Sequence, residues 1–471
     1  VGNGKAAPAA TAEKSIAVLA FENVGGDREN EVFATGVPEE ILMQLGRVAG
    51  LRLAGANSSF LLRGRPDAEV AQKLNVTHVV SGSVQRVGSQ VKITARLVNA
   101  ADGTQLWSDR FSEEMRNIFA AQEKIAGLIA EKLSLRLGGS SRAAKAIDPD
   151  AQRLVLEGRY HWNLRTFESF GRAEEAFRKA IALAPEFAEA HAGLAGVCMS
   201  RSNFSALEGL VPLAEDMPTA RREAALALQL DPNLAEAHAA LGMTHYLERD
   251  YALAEKSYQS ALAANPQLAL ARMWYGLLLA GMGRFEPAEA QSRKGAELEP
   301  LWFMQFQIWG NICQHQGNFS RAAELLARAA ALRSELYVSN LGSRVTVEYR
   351  LGHTESAVNL ARQVRANFDV RPRGSAAPQA IYVLLKTGHA AEAEDYARQV
   401  MARLAPQSHL RGYVLVALGR IEEAWPYLSD MPTQELLKIA RDPMFEPVRR
   451  DPRFSALAAT LRIPQELLSS R

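Results

Sequence analysis

The chain predicts an α+β amino-terminal domain followed by an all-α solenoid. Two observations carry this prediction. Strand-like alternating runs are confined to the first 115 residues or so, and from Asp150 onward alanine, glycine and proline recur 34 residues apart. A third observation bounds it: 471 residues exceed one ordinary domain, and 48% hydrophobic with 23% charged side chains is the composition of a globular protein.

The first apolar run, "SIAVLAF" from Ser15, reads as a strand leading through Gly25-Gly26 into a helix near Val32–Val48. Strand, glycine turn and helix is the order in which many phosphate sites begin. A phosphate loop, however, needs several glycines whose backbone N–H groups converge, and here Asp27, Glu29 and Glu31 follow instead. The two glycines therefore read as turn residues. A short strand "LRLAG" and a helix near Asp67–Leu74 come next, then "HVVSGSVQRV", "QVKITARLVN" and "TQLWSDRFS". The second of these runs alternates, with Val91, Ile93, Ala95 and Leu97 on one face. Gly88-Ser89 and Asp102-Gly103 fit hairpin turns between the runs. A helix near Glu114–Leu137 closes the unit, with Ile118, Ile125, Ile129 and Leu133 at helical spacing. The predicted order is β-α-β-α-β-β-β-α.

In the second half, Gly242, Gly276 and Gly310 are in register, as are Ala220, Ala254, Ala288 and Ala322, and Pro232, Pro266 and Pro300. Small residues let two helices approach, and proline ends each hairpin because a helix cannot run through it. Second-helix alanines at Ala173, Ala357, Ala393 and Ala424 extend the series to eight helix pairs. The step from Ala173 to Ala220 is thirteen residues too long, and the excess falls in Ser200–Thr219. The last three pairs keep Gly352, Gly388 and Gly419 before the second helix. The tail "DPMFEPVRRDPRFSALAATLRIP" contains two Asp-Pro helix starts and reads as a cap on the last repeat.

The predicted organisation is a linker over 1–13, an α+β domain over 14–138, a linker over 139–149, repeats over 150–440 and a helical cap over 441–471. Val1–Lys14, "VGNGKAAPAATAEK", is rich in small residues and reads as a linker, not a signal peptide, because it has no apolar core; a fragment or a processed form of a longer chain is the expectation. No apolar run in the chain reaches the ~20 residues a span needs. The balance of 54 basic to 52 acidic side chains disfavours a general nucleic-acid binder, which would show a basic surplus. No Walker loop, His-Glu-x-x-His, Cys-x-x-Cys or Gly-x-Ser-x-Gly is present. No catalytic activity, cofactor or metal is expected. His238 and His245 share a helix face but lack a third ligand at metal spacing. Cys198 and Cys313 occupy equivalent repeat positions and read as buried packing residues, too far apart to bridge.

Two resemblances sharpen these readings. The blocks within Lys14–Leu137 resemble the TolB-like amino-terminal domain of bacterial signalling proteins. That resemblance implies a module without catalytic residues, outside the cytoplasm and hence periplasmic. It usually follows a membrane helix, with a winged-helix domain, an adenylate cyclase or a kinase on the other side. The 34-residue pattern resembles the tetratricopeptide repeat, most fully in "LAEAHAALGMTHYLERDYALAEKSYQSALAANP". In such repeats the first helices line a concave groove. The groove positions are Arg159, Trp162 and Asn163 in repeat one, and Met243, Tyr246, Met273 and Leu277 in repeats three and four. In repeat five they are Gln307, Asn311, Gln314 and His315. Apolar anchors beside amides suit an extended peptide, an amphipathic helix or a small amphipathic ligand. Tyr246 and Asn311 are expected to serve binding rather than helix packing. The groove is open to two occupants, a partner protein or another part of the same chain. The expected function is a non-catalytic protein- or peptide-binding sensor or scaffold of a bacterial envelope signalling protein. The alternatives are a stand-alone periplasmic assembly scaffold and the regulatory part of an adenylate cyclase.

Overall fold

The computed structural model describes residues 14–26, 28–46, 48–87, 90–114, 118–135, 147–207, 214–332, 338–368, 376–429 and 431–469. The linkers expected at 1–13 and over most of 139–149, and the Gly88-Ser89 turn, lie outside them. The chain forms two compact units that divide between Leu156 and Glu157.

The first unit contains β1 (Lys14–Val18), β2 (Glu22–Asn23), α1 (Arg28–Leu45), β3 (Leu51–Leu53), α2 (Ala56–Ser59), α3 (Asp67–Leu74), β4 (His78–Val87), β5 (Gln90–Asn99), β6 (Gln105–Glu114) and α4 (Ile118–Lys132). Strand order is β3-β1-β4-β5-β6. β1 runs parallel to β3 and β4, and the long β4, β5 and β6 are antiparallel. Two elements were not expected from sequence. β2 is only two residues and pairs with β4, and α2 is a single turn. Both are too short to produce a periodic signal.

Val91, Ile93, Ala95 and Leu97 are fully buried on one face of β5, where Ile125 and Ile129 of α4 join the same core. At the opening turn Gly25 and Gly26 have φ of +123° and +74°, and the Gly26 N–H donates to Asn23 Oδ1. They serve the backbone, since a side chain at such angles is strained.

The second unit consists of helix pairs. The pairs are α5 (Pro149–Asn163) with α6 (Phe167–Leu183), α7 (Ala188–Leu207) with α8 (Asp216–Leu230), α9 (Ala235–Leu247) with α10 (Tyr251–Ala264), and α11 (Ala269–Gly281) with α12 (Phe285–Leu298). They continue as α13 (Phe303–Gln316) with α14 (Phe319–Leu332), α15 (Val338–Arg350) with α16 (Thr354–Phe368), α17 (Ala377–Lys386) with α18 (Ala390–Arg403), and α19 (His409–Ala417) with α20 (Ile421–Ala424). The division between units falls within α5.

All eight second-helix alanines, from Ala173 to Ala424, are 0% exposed, which fixes the register across the series. The reason is local. A Cβ added at Gly242 would lie 2.9 Å from the Tyr258 ring, so the tyrosine four residues after Ala254 occupies the space the glycine leaves. Leu326 does the same at Gly310. Part of the thirteen-residue excess lengthens α7, which runs twenty residues to Leu207. Cys198 and Cys313 are buried and unbridged, and burial with nearby acidic groups pushes both thiols up to about 12.

The tail contains a 3-10 turn (Thr433–Glu435), α21 (Leu436–Arg441), a second 3-10 turn (Pro443–Phe445), α22 (Glu446–Arg450), α23 (Phe454–Thr460) and α24 (Gln465–Ser469). Its first element starts eight residues before the cap expected at 441–471. It also does more than cap. Phe445 packs edge-on against Tyr413 of the last repeat, with ring centroids 5.0 Å apart, but α21 lies against α11 and α13.

Candidate functional site: the first-helix face and its occupant

Each first helix ends with carbonyls that have no partner within the helix. The tail supplies donors to two of these ends. Thr433 Oγ1 donates to the Leu247 carbonyl of α9 at 2.9 Å, and Arg441 Nε donates to the His315 carbonyl of α13 at 3.1 Å. The Arg441 guanidinium lies 5.4 Å from the Phe285 ring centroid. A cation at a helix carboxy terminus also meets the negative end of the helix dipole.

Arg249 anchors the start of the tail. It sits after α9 with φ of +63°, in the turn where later repeats place Gly283, Gly317, Gly352, Gly388 and Gly419. Its guanidinium donates from Nη2 to the Met431 carbonyl at 2.6 Å and from Nε to Thr433 Oγ1 at 3.4 Å. Gln434 donates to Asn203 of α7. Leu436, Leu437, Ile439 and Ala440 of α21 are all buried, as are Met444 and Phe445. Arg449 holds the tail to itself, donating to the carbonyls of Ile439 and Asp442 at 2.9 and 2.8 Å. At the far end α24 crosses Gly283. A Cβ there would lie 2.7 Å from the backbone at Glu466–Leu467, and φ is +76°. Only glycine meets both demands.

This arrangement relocates the residues expected to line an open groove. Tyr246 is 1% exposed, with its ring near Tyr251 and its hydroxyl toward Gly281. The expectation that it stands clear of packing is corrected: it is one of the largest fully buried side chains. Met243 accepts a hydrogen bond from Tyr258 Oη at 3.5 Å, which places it inside repeat three. Met273 is buried and Leu277 half-buried. Gln307 accepts from Asn340 of α15 at 2.5 Å and donates to Asn311 Oδ1 at 3.2 Å, so both amides belong to a seam between repeats.

Gln314 and His315 are each only 9% exposed. Burial and the charges of Lys438 and Arg441 drive His315 down to about 3, so its imidazole is neutral beside the tail. In repeat one, Trp162 Nε1 donates to Ser200 Oγ at 3.0 Å and its ring lies under Arg165. Arg159 is buried and Asn163 is exposed.

The residues that the sequence reading missed are Arg249, Thr433 and Arg441. No local signal marked them, because the apolar side chains of "ELLKIARDPMF" have the same pattern in a cap over one repeat as in a segment that crosses several. His238 Nε2 contacts the Pro232 carbonyl at 2.9 Å. Among the described residues no group of three His, Cys, Asp or Glu side chains is placed to hold a metal ion. No described helix is long and apolar enough to cross a membrane.

Comparison with known proteins matches one repeat of the helical unit to a family. The model of the tetratricopeptide repeat family matches residues 235–268. The chain carries a tetratricopeptide repeat. A curated relative from Rhizobium meliloti, named "Putative adenylate cyclase 3", is 31% identical over 199 residues, which is 41% of this chain and 34% of that protein. The chain thus spans about a third of that relative's length. Among solved structures, PilF of Pseudomonas aeruginosa is 21% identical with a TM-score of 0.38, covering 51% of this chain and 98% of that one. A tetratricopeptide repeat protein of Parabacteroides merdae is 12% identical with a TM-score of 0.41, covering 58% of this chain and 100% of that one. The residues matched to the family are the third helix pair, α9 with α10, and the other pairs of the unit repeat its hairpin form.

Proposed function

We propose that this chain is the recognition part of a bacterial envelope signalling protein, working by binding and without chemistry of its own. The first unit serves as a TolB-like module on the extracytoplasmic side of the inner membrane. The tetratricopeptide unit binds a protein or peptide on its first-helix face. One observation carries the reading: that face, across repeats three to five, receives a short helical segment and satisfies helix-end carbonyls with that segment's side chains. A surface that holds one short helix in this way suits another. Arg159, Trp162 and Asn163 extend the proposed surface into repeat one. The sequence resemblance of residues 14–137 supports the envelope setting.

A second reading is the regulatory part of an adenylate cyclase, favoured by the 31% identity to the rhizobial protein. The two readings share the binding face and differ in the output domain.

A photoreactive residue placed at Leu277 or Asn311, both half-buried, tests the proposal against one placed at Glu324 on the second-helix side. The chain is produced in a bacterial envelope and adducts are identified by mass spectrometry. Adducts with one envelope protein from the first two positions alone are expected. Adducts from Glu324 alone, or none from any position, would refute the assignment of the face.

A further inference from the structure

We infer that the tail segment 431–449 is a resident, displaceable ligand of the first-helix face, and that it specifies the class of partner that replaces it. That partner is a short helical peptide with an apolar stripe and one basic side chain placed for the carbonyl end of α13. The inference deepens the binding reading above and rests on it.

Three observations support displacement rather than permanent docking. The first is length. α21 and α22 are six and five residues long, far below what holds a helix in water, so their order comes from the surface they lie on. The second is how the segment is attached. Its polar links to the repeats include side-chain bonds from Thr433 to Leu247, from Arg249 to Met431, from Gln434 to Asn203 and from Arg441 to His315. Another chain with a hydroxyl and a guanidinium at the same spacing reproduces the two donor bonds to helix ends.

The third observation is what docking leaves unmatched. Tyr246 Oη, Gln314 Oε1 and Asp442 Oδ2 are buried without a hydrogen-bond partner among the described residues. Asp442 is pushed upward by its burial, against the Met444 N–H and the charges of Lys438 and Arg449. Release of the segment returns Asp442, which leaves with it, to water, and this offsets part of the apolar burial lost. A partner that supplies a donor to Gln314 Oε1 gains over the resident.

The chemistry of the partner follows from the contacts that the tail makes. Leu436, Leu437 and Ile439 fill the apolar part, and a single residue such as Arg441 meets the His315 carbonyl and the Phe285 ring. An acidic peptide fits poorly, because helix carboxy termini carry partial negative charge.

The test uses a fluorescein-labelled synthetic peptide of residues 431–449 as the probe and the full chain as the receptor. Ile439→Asp with Arg441→Ala weakens the resident segment within the full chain. Probe affinity is expected to be at least tenfold tighter for that variant than for the unaltered chain, with circular dichroism unchanged. A probe carrying Arg441→Ala is expected to lose most of this affinity. Equal affinity for both receptors, or collapse of helicity in the variant, overturns the inference, the second because it makes the tail part of the core.

Hydrogen exchange on the unaltered chain gives an independent reading that needs no variant. Amides of 431–449 are expected to exchange at least a hundredfold faster than those of α9–α14. Exchange at one common rate overturns displacement. The two proposals remain separable. If the probe fails on the opened variant while Leu277 and Asn311 still yield an envelope adduct, the peptide class is wrong and the face assignment stands. If the probe binds but no envelope protein is captured, the resident-ligand inference stands alone.

Discussion

Repeats one and two are held differently from repeats three to five. The first pair of repeats is stapled by buried polar groups within itself. Arg201 Nε meets both carboxylate oxygens of Asp216 at 3.2 and 3.1 Å, and the same guanidinium reaches Glu174 of α6. His191 Nδ1 lies 2.6 Å from Glu223, and Nε2 lies 2.9 Å from the Pro185 carbonyl. Burial pulls His191 down, but these two partners outweigh it and its net shift is upward. Repeats three to five rely on aromatic packing, with Tyr258 over Gly242 and stacked near Tyr275, and on the tail laid across their first helices. A solenoid repeat touches only its neighbours, so stability is a sum of local terms. The comparison teaches that one region meets that demand mainly through its own charge network and meets the tail at Asn203, whereas the other recruits a distant segment of chain along its first helices.

The strongest way to break the contrast is at Asp216. Its side chain is 1% exposed, and Asp216→Ala leaves the Arg201 guanidinium with Glu174 alone. The expected loss is about 3–5 kcal/mol, read as a lower urea midpoint, with hydrogen exchange rising first in α7 and α8. Tyr246→Ala in the other region is expected to cost about 3 kcal/mol, because a large buried ring leaves a cavity. Helicity measured by circular dichroism is expected to fall at a lower urea concentration. An unchanged midpoint would return Tyr246 to the role of an open binding residue.

Gly283→Ala sharpens the comparison, since it strikes the tail and leaves the charge network alone. The left-handed backbone alone costs a side chain about 1–2 kcal/mol, and the new Cβ also displaces α24. Faster exchange confined to Gln465–Ser469 is the expected signature. The effect of pH separates the regions further. His315 binds its proton near 6.5 when unfolded and at about 3 when buried, so the unfolded chain takes up the proton first. The stability it contributes is complete above about pH 6.5 and declines as pH falls toward 3. Asp442, with its carboxyl raised, acts in the opposite sense: its contribution is present at low pH and lost as pH rises through its folded value. His315→Gln is therefore expected to flatten the fall of the urea midpoint between pH 6.5 and 4. A slope equal to that of the unaltered chain would show that His315 is not the group responsible. The smallest effect belongs to Glu168→Ala. Its ion pair with Arg172 is more than half exposed on both sides, so the midpoint is expected to move by less than about 0.5 kcal/mol.

Much of the architecture was legible without coordinates because it rests on short-range rules. The strand β5 falls where alternation placed it, at Gln90–Asn99, and β4 matches the strand-like run before it, at His78–Val87. The eight alanines mark the second helices because a close helix–helix approach admits only a small side chain at that point, whatever surrounds the pair. The same rule made Cys198 and Cys313 readable as buried packing residues. Asp442 was likewise readable as a helix start, and its carboxylate accepts the Met444 N–H at 2.9 Å.

The state of the first-helix face was a different matter. Sequence period determines which residues point toward that face, and it named Tyr246, Gln314 and His315. It cannot determine what else arrives there. The bonds from Arg249 to Met431 and from Arg441 to His315 join residues 182 and 126 positions apart, and no local spacing encodes such a pairing. Apolar side chains at Leu436, Leu437 and Ile439 have the same pattern whether they cap one repeat or cross several. Burial depends on the sum of neighbours in space, so only the tertiary structure decided that the tail lies across these helices and closes the face the sequence had left open.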